Sequence, residues 1–185
     1  MGCISIRKIL ILGSIASGKT RLARQLGLLL SLPVIHVDQL EFNPDLSKRK
    51  IQDIRIDVQT AVSASEWILD GHGPLDILPQ HLERVHLVIY LDFPLWLNIF
   101  RLCWRQLGVL FKPRSEMPRG ANEWQRGHFK KMYQTLRKQH RLMNPELLRI
   151  LQKPENKKKL IHVRTSRDWA KISQQVLATS VSKSF

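Results

Sequence analysis

Eight consecutive residues near the start of the chain have a spacing that binds phosphate groups. Gly13, Gly18, Lys19 and Thr20 occupy every fixed position of the pattern G-x-x-x-x-G-K-[ST]. In this pattern successive backbone N–H groups surround anionic oxygens, the lysine reaches the β- and γ-phosphates of a nucleotide, and the hydroxyl ligates Mg²⁺. The remaining backbone amides belong to Ser14, Ile15, Ala16 and Ser17. Residues 13–20, called the P-loop below, are therefore predicted to bind nucleotide phosphate, with Mg²⁺ at Thr20.

A loop of this kind also needs a carboxylate for the metal, and three aspartates follow predicted strands. Asp70 follows the apolar segment 67–69 and precedes a glycine-rich loop, so it is the favoured ligand for Mg²⁺ or its waters. Asp38 follows the second predicted strand, where a base or a substrate contact would lie. For both, the alternative is that the carboxylate caps the following turn. For Asp92, which directly precedes a Phe-Pro pair, helix capping is favoured over catalysis.

Several arginines could supply the cationic clamp that spreads charge during phosphoryl transfer, because a guanidinium offers phosphate a two-pronged hydrogen-bonding geometry. They are Arg101, Arg105, Arg114, Arg119 and Arg126. Arg101 and Arg105 are favoured, because they lie one turn apart on a predicted helix that directly follows a strand. For the others the alternative is a solvated basic face.

Composition and spacing exclude several other classes of protein. None of the seven histidines has the spacing of a metal cage, and a surface position is favoured for His72, in the loop after Asp70. Cys3 and Cys103 are too few for a disulfide scaffold and favour a reducing compartment. No apolar segment reaches the ~18 residues that a membrane-spanning helix needs. We therefore expect a cytoplasmic protein that does not span a membrane.

The elements that must position these residues alternate along the chain. Short apolar segments typical of buried strands cover residues 4–12, 34–37, 67–69, 84–91 and 160–163. Helical spacing covers residues 18–30, 51–65, 95–106, 129–142 and the segment after 166. Ser47, Asn144 and Ser166 are predicted to cap helices. Strands that alternate with helices predict a single α/β domain built on a five-stranded parallel sheet.

Two segments interrupt this alternation, residues 43–66 and residues 107–142. The second contains a stretch rich in Gly and Pro, 108–127, whose length is typical of a lid or of a disordered segment. The 185 residues include 30 basic and 15 acidic side chains, and residues 101–159 alone hold 16 basic and 4 acidic ones. This basic block favours an anionic partner.

Four stretches of the chain, taken in order, resemble a known family. They are LILGSIASGKTRLARQLG, LPVIHVDQLEF, WILDGHG and VIYLDFPLWLNIFRLCWR, and a basic segment, a strand and a helix follow them. The whole chain resembles the adenylate-kinase-like P-loop proteins labelled DNA topology modulation proteins, which are similar in fold to nucleoside monophosphate kinases. The resemblance implies a five-stranded parallel sheet flanked by helices, with residues 43–66 as a helical substrate-binding insertion and residues 107–142 as a mobile lid region.

The resemblance also implies roles for particular residues. It implies that the phosphates of ATP lie on the P-loop, that Asp38 is a strand-end acid near the phosphoryl acceptor, and that Asp70 is the acid that holds Mg²⁺. It further implies that Arg101 and Arg105 contact phosphate or adenine. Relatives often have Asp-Gly-Asn after the third strand, where this chain has Asp-Gly-His.

Together these features predict an ATP-binding, Mg²⁺-dependent phosphotransferase that moves the γ-phosphoryl group of ATP to a small acceptor. One alternative is a nucleic-acid-binding regulator that uses nucleotide as a switch and binds phosphate backbone through the basic block 101–159. Another is a simple ATPase. The residues expected to act in catalysis are Lys19, Asp38, Arg101, Arg105, Arg114 and Arg119.

The lid and nucleic-acid hypotheses predict different outcomes for the double variant Arg114→Gln/Arg119→Gln. If the segment is a lid, its arginines engage phosphate in the closed, ATP-loaded state, so we expect turnover to fall about tenfold or more while ATP-free stability is unchanged. If the block binds nucleic acid, log affinity for DNA falls with log salt at a slope of about −0.9 per neutralised phosphate, with or without ATP. Salt-steep DNA binding alongside unaffected turnover would exclude the lid.

Overall fold

Five strands form one parallel sheet in the computed structural model, which describes residues 6–109 and 128–182 of the chain. They are β1 (Lys8–Gly13), β2 (Val34–His36), β3 (Trp67–Asp70), β4 (Leu87–Leu91) and β5 (Leu160–Val163). Their order across the sheet is β2-β3-β1-β4-β5, so β1 is central, with β3 on one side and β4 on the other. The predicted five-stranded parallel sheet is confirmed, and the carboxyl ends of all five strands meet at one edge.

Helices cover both faces of this sheet. In chain order they are α1 (Lys19–Leu30), α2 (Val37–Glu41), α3 (Ile51–Ala61), α4 (Leu78–Arg84), α5 (Leu95–Val109), α6 (His128–Lys138), α7 (Asn144–Leu151), α8 (Pro154–Lys157) and α9 (Ser166–Ser182). A 3₁₀ turn at Leu75–Ile77 precedes α4, and a π-helical turn at Gln139–Met143, called the π-turn below, joins α6 to α7. The sequence does not predict α2, α4 or α8, because such short helices carry too few residues to show a helical period.

The sheet separates two hydrophobic clusters, because successive side chains of a strand point to opposite faces. On one face Ile9 and Ile11 of β1 pack with α1 and α9, and on the other Leu10 and Leu12 pack with α4 and α7. All four side chains are fully buried. A third, smaller cluster joins α2 and α3 to the 3₁₀ turn. The P-loop therefore leaves the sheet from its central strand, whose middle residues are buried on both faces.

Three predicted helix caps do not form at the residues that the sequence indicates. α3 begins four residues after Ser47, with a different residue in the capping position. Asn144 lies inside a continuous helical segment, and its side chain contacts the P-loop. Before α9 the cap forms one residue earlier than Ser166, where Thr165 and Asp168 exchange side-chain-to-backbone hydrogen bonds.

Three predicted helices have different ends from those that their patterns indicate. α3 ends at Ala61, before the predicted end at residue 65. α5 continues to Val109, beyond the predicted end at residue 106. The predicted helix 129–142 consists of α6 and the π-turn, whose wider spacing breaks the 3.6-residue period. Within the described ranges, no helix is both long enough and apolar enough to cross a membrane.

Candidate active site

The P-loop connects β1 to α1 through a backbone that bends sharply. Gly13, Ala16 and Gly18 have positive φ values of 148°, 60° and 97°. The left-handed conformation costs a residue that carries a Cβ about 1–2 kcal/mol, so Ala16 is strained where a glycine would not be. Strain of this kind is typical of ligand-binding loops, where the surrounding structure holds the backbone in place. The backbone strain of the P-loop is therefore located at Ala16, in the middle of the loop.

Lys19 is the cation of this loop. Its Nζ donates hydrogen bonds to the carbonyl oxygens of Gly13 and Ser14, each at 2.9 Å. These carbonyls lie where the loop begins, so the ammonium group joins the start of the loop to the first turn of α1. The N-terminus of α1 adds partial positive charge at the same place. The two together create a positive potential that suits an anionic phosphate.

Asp70 ends β3, the strand beside β1, and its side chain is almost fully buried. Its Oδ2 lies 2.9 Å from Nδ1 of His36, and the two residues are paired in register on neighbouring strands. Side-chain alternation puts Asp70 on the same sheet face as Ile68, which packs in the cluster of α1. Asp70 therefore faces the side of the sheet that carries Thr20, in the first turn of α1.

The chemistry of these oxygen donors fits a magnesium ion. Mg²⁺ usually takes one or two carboxylates from a protein and completes its ligands with water and substrate phosphates. Asp70 and the hydroxyl of Thr20 offer such a donor set. Across residues 6–109 and 128–182, no cluster of three or more His, Cys, Asp or Glu side chains could form a closed cage. The donors therefore suit a metal that is shared with a nucleotide.

Lys19 and Asp38 both lie within electrostatic reach of His72. Asp38 is in the first turn of α2, directly after β2. The pKa of His72 is lowered, mainly by burial and to a smaller extent by the positive charge of Lys19. The hydrogen bond with the Gly73 carbonyl and the negative charge of Asp38 act in the opposite direction and raise this pKa. The imidazole is therefore neutral at pH 7. His72 is half-buried at the surface, because Gly71 and Gly73 place this loop against Val37 of α2 and Val58 of α3.

The two arginines of α5 have different neighbours. Arg101 donates from Nη1 to the carbonyl oxygen of Ser17 at 3.2 Å, and its guanidinium lies over Phe93, 4.4 Å from the ring centroid. Arg105 contacts the sulfur of Met132 on α6 at 3.7 Å. Burial lowers the pKa of Arg101, although a guanidinium stays charged at neutral pH. Of the two, Arg101 belongs to the surroundings of the P-loop and Arg105 to the contact between α5 and α6.

The predicted lid arginines, Arg114 and Arg119, lie outside the described residues, as does the rest of 110–127. The description resumes at α6. Its exposed side chains include Lys130, Lys131, Arg137 and Lys138. The basic character of the block 101–159 therefore continues on a solvent-exposed helix face.

Asp92 forms a second histidine–aspartate pair, on the other side of β1. Its Oδ2 lies 3.0 Å from Nε2 of His162 and 3.9 Å from Nε of Arg164. The carboxylate thus joins the end of β4 to β5, and these contacts differ from the helix cap that the sequence favours. By strand alternation Asp92 points to the face of Tyr90, opposite to that of Asp70. We therefore place it outside the phosphate site.

Two side chains for which the sequence predicts no contact with the P-loop form hydrogen bonds with it. Oε1 of Gln139 accepts the backbone N–H of Ile15 at 2.9 Å, and Nδ2 of Asn144 donates to Oγ of Ser14 at 2.9 Å. The partners are 124 and 130 residues apart in the chain. No local pattern signals these contacts, because neutral amides in a basic helical stretch are usually solvated.

Two solved structures have a similar fold. A shikimate kinase from Acinetobacter baumannii, in complex with shikimate, is 18% identical with a TM-score of 0.55, over 96% of this chain and 94% of that one. A gluconokinase from Sinorhizobium meliloti 1021 is 13% identical with a TM-score of 0.53, over 95% and 92%. No protein-family profile and no curated protein matches the sequence. These likenesses show a kinase-like α/β fold, in which the P-loop sequence directly follows β1.

The loop geometry predicts unequal effects of alanine at its two outer glycines. At Gly13 a Cβ would lie 2.7 Å from the backbone oxygen of Leu91 and 2.8 Å from Oγ of Ser17, whereas at Gly18 the nearest atom is in the Trp169 ring at 3.3 Å. We expect Gly13→Ala to lower the free energy of unfolding by about 3 kcal/mol or more, and Gly18→Ala by about 1–2 kcal/mol. Denaturant unfolding measures both, and equal losses would contradict the steric argument.

Proposed function

We propose that this protein is an ATP-binding, Mg²⁺-dependent phosphotransferase that moves the γ-phosphoryl group of ATP to a small-molecule acceptor. The observation that carries the proposal is the geometry of Lys19, which is held by two carbonyls in a strained loop at the carboxyl edge of a parallel sheet. Ligands of such sheets bind at this edge. The fold-level likeness to two kinases, one of them holding shikimate, supports the same reaction class by analogy.

In this proposal the P-loop amides and Lys19 bind the phosphates of ATP, while Thr20 and Asp70 hold Mg²⁺. The ion, when bound, would neutralise charge on the β- and γ-phosphates. Phosphoryl transfer needs little covalent help from a protein, so the side chains act mainly by orientation and charge stabilisation. Arg101, which already contacts Ser17, adds positive charge beside the loop.

Asp38 is proposed to orient the acceptor hydroxyl and to accept its proton. The charge of Asp38 raises the pKa of His72, and the charge of Lys19 lowers the same pKa. Asp38 and Lys19 therefore lie on the same side of the site, near His72. On the same helix, burial raises the pKa of Glu41, Lys48 lowers it and Asp38 raises it further. Of the two carboxylates of α2, we assign the contact with the acceptor to Asp38, because it lies directly after β2. The adjoining residues 43–66, which include α3, are proposed to bind the acceptor.

We also propose membership of the adenylate-kinase-like proteins labelled DNA topology modulation proteins, on the four sequence stretches quoted above. Under this proposal residues 107–142 form a lid whose Arg114 and Arg119 reach the phosphates, and Arg105 contacts nucleotide when the lid closes. The main rival is a simple ATPase, in which water replaces the acceptor. The nucleic-acid alternative has the basic block in its favour but no support from the structural neighbours.

Lys19→Ala should keep the fold and lose phosphate binding, because the loop loses its long cation. We expect ATP turnover to fall at least about 100-fold, the cost of removing one preorganised charge-stabilising contact. Initial rates of ADP formation measure this, and Lys171→Ala, an exposed lysine on α9, is the control that should behave as wild type. Wild-type turnover in a folded Lys19→Ala protein would exclude the P-loop as the ATP site.

The same assay tests the acceptor. Wild-type protein is incubated with ATP, Mg²⁺ and a panel of nucleoside monophosphates, sugars and hydroxy acids. A phosphotransferase forms ADP at a rate that depends on one acceptor class and yields a phosphorylated product in equal amount. ADP formation that is the same with every member of the panel and with none would instead support the ATPase.

Asp70→Asn should raise the Mg²⁺ concentration that activity requires. The substitution is nearly isosteric and removes the charge that would attract the ion, so we expect the half-saturating Mg²⁺ concentration to rise about tenfold or more. Magnesium titrations of turnover at saturating ATP measure the shift, with the exposed Asp53→Asn on α3 as control. An unchanged titration would exclude Asp70 as a ligand of the metal.

A further inference from the structure

The π-turn lies within an unbroken helical segment that runs from α6 into α7. The residues on either side of it, Lys138 and Asn144, have φ and ψ of −62°, −43° and −61°, −44°, which are ordinary helical values. A π-turn inside a helix is rare, and such turns occur frequently at functional sites. The helical backbone continues on both sides of the turn, and the effect of the turn is to change which residues share a face.

That change brings two amide side chains to the P-loop. Gln139 and Asn144 are five residues apart, and on a regular helix of 3.6 residues per turn they would point about 140° apart. A turn closed by i to i+5 hydrogen bonds is wider, so residues five apart point more nearly in the same direction. Gln139 therefore reaches Ile15 and Asn144 reaches Ser14, the next residue back along the loop.

The turn is itself anchored to the helix that follows β4. Nδ2 of Asn98, on α5, lies 3.0 Å from Nε2 of His140 and 3.3 Å from the carbonyl oxygen of Phe93, and the Asn98 side chain is fully buried. The same helix supplies Arg101, which bonds to Ser17. Side chains of α5, the π-turn and α7 thus hold the P-loop at residues 14, 15 and 17.

We propose that Gln139 and Asn144 are positioning residues that hold the P-loop in its phosphate-binding shape before ATP arrives. The bond to the Ile15 amide fixes the backbone directly before Ala16, the strained residue of the loop. The buried hydroxyl of Ser14 is fixed in the same way from Asn144. This inference deepens the proposed function and rests on it, because it assigns the π-turn a role in nucleotide binding.

The test replaces Gln139 with methionine, which has a similar size and shape but lacks the oxygen that accepts the Ile15 N–H. In the full-length Gln139→Met protein the backbone N–H of Ile15 loses its partner, so we expect its hydrogen exchange to accelerate about 5- to 10-fold without ATP. The Kd for ATP, measured by calorimetry, should rise by a similar factor, while kcat at saturating ATP stays within about twofold. Asn144→Leu, which removes the donor to Ser14, should raise the Kd in the same direction.

Gln134→Met, at an exposed position of α6, is the matched control and should leave both measurements unchanged. The inference is overturned if Gln139→Met and Asn144→Leu bind ATP as tightly as wild type. It is also overturned if both variants lose only thermal stability, because that result describes a structural contact. Wild-type protein that binds no ATP would instead refute the proposed function, and the positioning role with it.

Discussion

The close approach of β1 and β4 at their carboxyl ends is the constraint on which the rest of the site depends. Gly13 is the last residue of β1 and pairs with Leu91, and no side chain fits between its Cα and the Leu91 carbonyl. Because the chain turns out of the sheet at this point, the next residues form a loop and Lys19 begins α1 directly above the central strand. The Lys19 ammonium then bonds back to the Gly13 carbonyl, so the same residue fixes both the turn and the cation.

The strain in the loop is balanced by contacts from distant parts of the chain. A left-handed alanine costs about 1–2 kcal/mol. A typical hydrogen bond contributes about 0.5–1.5 kcal/mol net, and the loop receives bonds from Lys19, Arg101, Gln139 and Asn144. Their sum is at least as large as the strain, so the bent loop can persist without a ligand. Such preorganisation lowers the ordering cost of binding phosphate.

Two histidine–aspartate pairs flank the central strand, and they differ in what surrounds them. His36 and Asp70 lie on the sheet face covered by α1, beside the helix that carries Lys19 and Thr20. The pair of Asp92 lies on the opposite face and connects β4 to β5. Both aspartates end buried strands, so composition and position alone do not distinguish them. The two carboxylates differ in the side of the sheet to which they point. Asp70 points to the side of α1 and is a candidate metal ligand, whereas Asp92 points to the other side and connects two strands.

The sequence by itself determined the five strands, the long helices and the P-loop, because apolar periodicity and the fixed spacing of glycines, lysine and threonine are local properties. It also predicted that Asp38 and Asp70 would follow strands, and that Arg101 and Arg105 would share a helix face. Only the tertiary structure decided which of these arginines contacts Ser17 and that the loop after β3 packs against α2 and α3. It also decided that Gln139 and Asn144 hold the P-loop. Spacing within a segment decides which residues share a face, whereas the element that covers this face depends on how the whole chain packs.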